Sequence, residues 1–170
     1  MLSLDKIYHA AFILKSVARK TDLIAAPHLS EGNNLYLKTE NLQVTGSFKV
    51  RGAYYKISQL TPEEASKGVI ACSAGNHAQG VALAATSMGI KSVICMPDGA
   101  PIMKVELVPG AYDEAHDRAV QLQEETGMTF IHPYDDELVI AGQGSIGLEI
   151  LDQLPDVEAV ILSLIHISEP

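Results

Sequence analysis

The spacing of apolar and polar residues outlines the elements of this chain before any chemistry is considered. Leu4, Ile7, Tyr8, Ala11, Leu14 and Ala18 recur at helical intervals, so "DKIYHAAFILKSVARK" predicts an amphipathic N-terminal helix. "NNLYLKTEN" then reads as a strand with Leu35 and Leu37 on one face. "FKVRGAYYKISQL" returns to helical spacing, with Gly46 and Ser47 at its start, Ser47 as N-cap and Thr61-Pro62 as its stop. "TPEEASKG" is a short helix closed by Gly68. Beyond it the pattern changes. The short, continuously apolar runs "VIACS", "KSVICMP" and "MTFIHP" alternate with the helical stretches "HAQGVALAATSMG" and "YDEAHDRAVQLQEETG", which end at Gly89 and Gly127. Buried strands alternating with helices imply an α/β fold: an open parallel sheet with helices on both faces. "PYDDELVIAGQGSIGLEILDQLP" predicts a loop and then a helix from about Gly142, and "EAVIL" begins one more strand.

Two stretches break this rhythm. Between Pro97 and Tyr112 stands only "DGAPIMKVELVPGA", in which "APIMKVE" starts as a helix and "LV" is a stub of strand. A parallel crossover with its helix ordinarily takes a dozen or more residues, so this one is cramped. At the end, "LSLIHISEP" follows a strand pattern without turn chemistry, and 161–170 is expected to be a non-native tail.

Composition narrows the function. The 170 residues are 47% hydrophobic and 19% charged, an ordinary globular mixture with room for a real core. A net charge of -9 argues against nucleic acid or an anionic membrane as partner. No run approaches the ~18 apolar residues of a membrane span, and the N-terminus lacks a signal-peptide pattern, so a cytoplasmic location is inferred. Cys72 and Cys95 lie in apolar runs and read as buried reduced thiols. The six histidines show no ligand spacing, so no metal site is expected.

Three stretches carry chemistry. "ACSAGNHAQG" is strand, turn and helix start, where free N–H groups and the helix dipole favour a carboxylate or phosphate, Gly75 permits close approach, and Asn76 both donates and accepts. The plain alternative is a βα turn that binds nothing. In "TGSFKVRGAYYKI", a helix start, partial burial and nearby Arg51 would all disfavour the ammonium form of Lys49 and leave a nucleophilic amine. The plain alternative is a solvated lysine at a helix start, with Phe48 in the core and Arg51 ion-paired. "GQGSIG", Gly142–Gly147, fits the dinucleotide fingerprint in spacing alone. No clear strand precedes it, and the first acid after Leu162 is Glu169, so it reads as a helix start with close packing.

Together, "KTENLQVTGSFKVRGA", "ACSAGNHAQGVALAA", "MPDGAPIMKVE" and "HPYDDELVIAGQGSIGLEI" resemble the fold-type-II pyridoxal-phosphate enzymes, and among them the threonine dehydratase (threonine ammonia-lyase) family. The resemblance runs from the N-terminus to about Val160. It implies that Lys49 holds pyridoxal phosphate covalently and then moves the Cα proton, that Phe48 packs near the cofactor ring, and that Asn76 bonds its 3′-oxygen. Ser73, Gly75, Asn76 and His77 would line the loop that grips the substrate carboxylate. The implied reaction turns L-threonine (or L-serine) into 2-oxobutanoate (or pyruvate) and ammonia, with a link to isoleucine biosynthesis and a homo-oligomeric full-length form. Serine racemases resemble the same family but carry a serine at the position of Ala74, so elimination rather than racemisation is expected. Relative to the family pattern, roughly ten residues are missing at Glu106–Leu107, and the glycine-rich phosphate loop after "VEAVIL" is absent. The expectation is therefore an N-terminal fragment, inactive alone: 1–40 from the large domain, 41–149 the small domain, 150–160 the start of a second large-domain segment. The competing readings are another lyase or racemase of this fold, such as a cysteine synthase-like enzyme, a nicotinamide-dependent oxidoreductase using Gly142–Gly147, and a non-catalytic remnant.

Overall fold

The computed structural model of the protein describes residues 1–97, 105–109 and 112–162, the side chains of 105–107 excepted. Its centre is a sheet of four parallel strands: β3 (Val69–Cys72), β4 (Ser92–Pro97), β5 (Val105–Val108) and β6 (Thr129–Phe130), in the order β5-β4-β3-β6. The predicted α/β class and parallel sheet are thus observed. Alternation along the strands sorts the two faces. Val69, Ala71, Ile94 and Met96 point to one side, against α2 (Lys49–Ser58) and α4 (Asn76–Ser87) through Ala53, Ile57, Ala78 and Val81. Ile70, Cys72 and Cys95 point to the other, against Ala115 and Ala119 of α5 (Tyr112–Thr126). Both cysteines are buried thiols outside any disulfide, as expected.

Further layers lie outside α2. α6 (Glu137–Gln153) packs on α2, and α1 (Leu4–Leu14) packs on both through Ala10, Tyr55 and Ala141. The buried side of α1 is Ile7, Ala10 and Leu14, whereas Leu4 and Tyr8 of the predicted stripe are more than half exposed. α6 begins at Glu137, five residues before the predicted start, because the Asp136 carboxylate accepts from the Leu138 and Val139 amides and caps the helix there. The short helix α3 (Pro62–Lys67) has the predicted form, with a Thr61–Glu64 capping box and Gly68 at φ 97°. The "NNLYLKTEN" strand is β2 (Tyr36–Lys38), antiparallel to β1 (Leu23–Ala25), which the hydrophobic pattern did not single out.

Two expectations at the irregular stretches are corrected. Val105 and Glu106 belong to β5 rather than to a helix start; the rest of "APIMKVE" lies outside the described residues. No strand forms over 158–162 among the described residues; Val160, Ile161 and Leu162 are exposed there, with no neighbouring strand to pair with. The remainder of the suspected tail, 163–170, also lies outside the described residues.

Candidate active site

Lys49 is the first residue of α2, with Phe48 rather than the predicted Ser47 at the N-cap position. Ser47 Oγ accepts from the Lys49 amide at 3.3 Å, while Phe48 is already helical in its backbone (φ −62°, ψ −16°). The side chain is half-buried. Nζ lies 5.4 Å from the centre of the Phe48 ring and donates to the Pro133 carbonyl at 3.2 Å. Phe48 in turn lines an apolar groove of about 430 Å³ with Gln143, Ile146 and Ile150 of α6, and the Gln143 Nε2 there is buried without a partner.

The second motif occupies the carboxyl end of β3 and the start of α4, the end of a parallel sheet at which ligands bind. Gly75 is the N-cap of α4, Ser73 Oγ accepts from the Gly75 amide at 3.2 Å, and Asn76 opens the helix. His77 turns inward. Its Nε2 lies 2.8 Å from the Ile131 carbonyl, which can only accept, so Nε2 carries the proton and Nδ1 is an acceptor. That Nδ1 is buried with no partner. Burial pushes the His77 pKa down to about 4, the Ile131 bond opposes this, and Lys49 and His132 add to the lowering. A neutral imidazole is no counter-charge, so what His77 offers an anion is its backbone N–H.

The two motifs meet through Gly80, the last residue of "SAGNHAQG". A Cβ on Gly80 would stand 3.1 Å from the Val50 N and Cα and 3.2 Å from the Lys49 carbonyl carbon. The glycine therefore lets the Lys49 turn rest on α4. Its role, and that of residues 131–133, escaped the sequence reading. The spacing of Gly80 to His77, one turn along a small-residue helix, was the available signal.

Arg51 does not tune Lys49. Two residues along a helix is about 200° of rotation, so it faces the other way. Its guanidinium is buried and bonds Glu40 at 2.8 Å through both Nε and NH2, and Glu149 at 2.7 and 3.0 Å, Ser145 Oγ at 3.1 Å and the Arg19 carbonyl at 3.1 Å. Burial alone would lower its pKa; the bonds to Glu40 and Glu149 outweigh that and raise it. Lys38 completes the cluster, donating to Glu149 at 2.7 Å and to the Thr21 carbonyl at 2.6 Å. Two cations thus balance two carboxylates.

The "GQGSIG" glycines lie inside α6, not after a strand. There the backbone N–H groups are spent within the helix, and a Cβ on Gly142 would come within 2.6 Å of the Arg51 carbonyl oxygen. Gly142 marks a close helix crossing and the motif has no strand before it, which removes the nicotinamide reading. Among the described residues no group of three potential metal ligands gathers, and no helix is long and apolar enough to cross a membrane.

A half-buried amine at a helix start and a helix N-terminus beside it fit an anionic, carbonyl-bearing group. Residues 14–165 match the family model described as pyridoxal-phosphate dependent enzyme. The L-threonine ammonia-lyase of Thermotoga maritima is 51% identical over 174 positions, which take in 95% of this chain and 43% of that protein. That alignment is longer than the whole chain, so the relative has positions without a counterpart here. Threonine deaminase isoform 2 of Solanum lycopersicum superposes with a TM-score of 0.82 at 41% identity, over 91% of this chain and 47% of that one. Maize serine racemase gives 0.86 at 33%, over 92% and 51%. The chain spans about half the length of the relatives it matches.

Proposed function

The chain belongs to the family of pyridoxal-phosphate-dependent enzymes, and on that footing we propose that it carries the reactive lysine and the substrate loop of a threonine ammonia-lyase. The observation behind this is the lodging of the Lys49 amine between Phe48 and the Pro133 carbonyl, its turn seated on the start of α4. Lys49 and Phe48, with Asn76, would hold the cofactor. Bound there, pyridoxal phosphate would supply an electron sink for the bonds at Cα. Ser73, Gly75, Asn76 and the His77 amide would receive and orient the substrate carboxylate at the α4 N-terminus. Lys49 Nζ would take the Cα proton, and its donor position would serve the departing β-hydroxyl. Overall, L-threonine yields 2-oxobutanoate and ammonia; L-serine yields pyruvate and ammonia. A cytoplasmic, homo-oligomeric complete form, a place in isoleucine biosynthesis, and the division of the chain at about 40 and 149 belong to the same proposal.

The test is chemical trapping. The chain is mixed with pyridoxal phosphate and reduced with borohydride, and the adduct is located by peptide mass with Lys49→Ala as control. An adduct concentrated at Lys49 is expected; labelling spread over all lysines and unchanged in the control would overturn the reading. The likeness to a serine racemase supports a second reading, in which a second group returns the proton from the opposite side. The exposed Ala74 side chain is a methyl and cannot do so. Appreciable D-serine formed alongside pyruvate by the complete enzyme would favour racemisation.

A further inference from the structure

Residues 131–136 run from the edge strand β6 to the N-cap of α6, and this one segment touches both motifs. The Ile131 amide is tied to the Ile70 carbonyl at 2.8 Å. The Ile131 carbonyl receives His77 Nε2–H and the Pro133 carbonyl receives Lys49 Nζ. The strap thus supplies one carbonyl to each motif. Residues 133–135 are in neither helix nor strand, so something else must fix them. His132 does. Its Nδ1 accepts from the Asp135 amide at 2.7 Å and the Tyr134 amide at 3.3 Å, closing the turn from within. Its ring packs edge-on to Tyr134 at 4.7 Å and tilted to Phe130 at 6.3 Å.

We propose that His132 is a positioning residue: by closing the turn around Pro133 it fixes the carbonyl that holds the Lys49 amine, and so sets where that amine stands. The proposal rests on the assignment of Lys49 as the reactive amine, but its test needs no cofactor. An asparagine at 132 can still accept from the amides two and three residues on, whereas an alanine cannot.

The experiment uses the intact chain as wild type, His132→Ala and His132→Asn, with circular dichroism to confirm folding. Amide hydrogen exchange is followed over 131–136. Acetylation of Lys49 by limiting N-hydroxysuccinimidyl acetate is measured by peptide mass relative to the distant Lys91. In His132→Ala, exchange of the Tyr134 and Asp135 amides should rise about tenfold, the loss of one ordinary hydrogen bond, and Lys49 should label several-fold faster. His132→Asn should restore both. A turn that opens in the alanine variant while Lys49 labels at the wild-type rate would overturn the proposal. So would a folded asparagine variant that labels like alanine, and this arm decides the matter if His132→Ala fails to fold. Because no pyridoxal phosphate is used, failure here is separate from failure of cofactor trapping at Lys49.

Discussion

Helix α6 carries three glycines that face three different surroundings, so one substitution repeated three times tests the packing argument against itself. None of the three has a positive φ, so alanine is compatible with the backbone at each. On helix propensity alone each change should stabilise by about 0.5–1 kcal/mol. At Gly147 nothing lies within 4 Å of the new Cβ, and that gain should be seen in full. At Gly144 the neighbour is the Ile7 side chain at 3.2–3.3 Å on α1, which can yield, so the net change should be near zero. At Gly142 the Cβ would meet the Arg51 carbonyl oxygen at 2.6 Å and Gly52 Cα at 2.7 Å. These are backbone atoms of a helix locked into the core, so α2 and α6 would have to part. Overpacking of this kind costs about 1–3 kcal/mol, so Gly142→Ala should lie about 1–3 kcal/mol below Gly147→Ala and, net of the propensity gain, between neutral and about 2.5 kcal/mol less stable than the parent. The chain has no tryptophan, so urea unfolding is followed by far-ultraviolet circular dichroism. A Gly142→Ala protein as stable as Gly147→Ala would refute the close crossing of α2 and α6.

Three more outcomes follow from the charges and caps. Glu40→Gln strips one carboxylate from the buried Arg51 and should destabilise by about 3–5 kcal/mol in urea unfolding; a loss below 1 kcal/mol would mean the cluster is solvated. His77 holds its proton less tightly folded (about 4) than unfolded (about 6.5), so the unfolded state binds more protons in between. Stability should therefore fall by up to about 3 kcal/mol as pH drops from 6.5 to 4, and His77→Asn should lose that part of the slope; an unchanged slope in the variant would place the proton elsewhere. Asp136→Ala removes the α6 cap and the Lys56 ion pair and should cost about 1–2 kcal/mol, read as a lower urea midpoint; no shift would mean α6 begins later than Glu137.

Much of this fold was legible because its central strands are apolar throughout and their helices end at glycines with positive φ, Gly89 and Gly127. The start of α2 was legible from Ser47 to within one residue. What escaped the pattern depends on partners distant in sequence. The α1 stripe was misassigned because the helix is narrowly buried at Ala10 and Leu14, so its other apolar residues mislead the wheel. The α6 start was missed because Asp136 sits among other acids, and only its bonds to the Leu138 and Val139 amides mark it as the cap. Arg51 was read as a neighbour of Lys49 in sequence, when the helix turns it toward carboxylates at 40 and 149. His77 was read as part of the substrate loop, and nothing local showed that its ring turns inward to Ile131, 54 positions on.

The balanced cluster of Glu40, Arg51, Lys38 and Glu149 also imposes an order on the birth of the molecule. Glu149 stands 98 residues after Arg51 and 111 after Lys38. At ribosomal speeds of about 5–20 residues per second, Arg51 leaves the tunnel roughly 5–20 seconds before Glu149 does. Through that interval a guanidinium meant for the interior has half its counter-charge, so α2 has reason to stay loosely docked. Until α6 has emerged, the helix that bears Lys49 lacks one of the two carboxylates that balance Arg51 in the core.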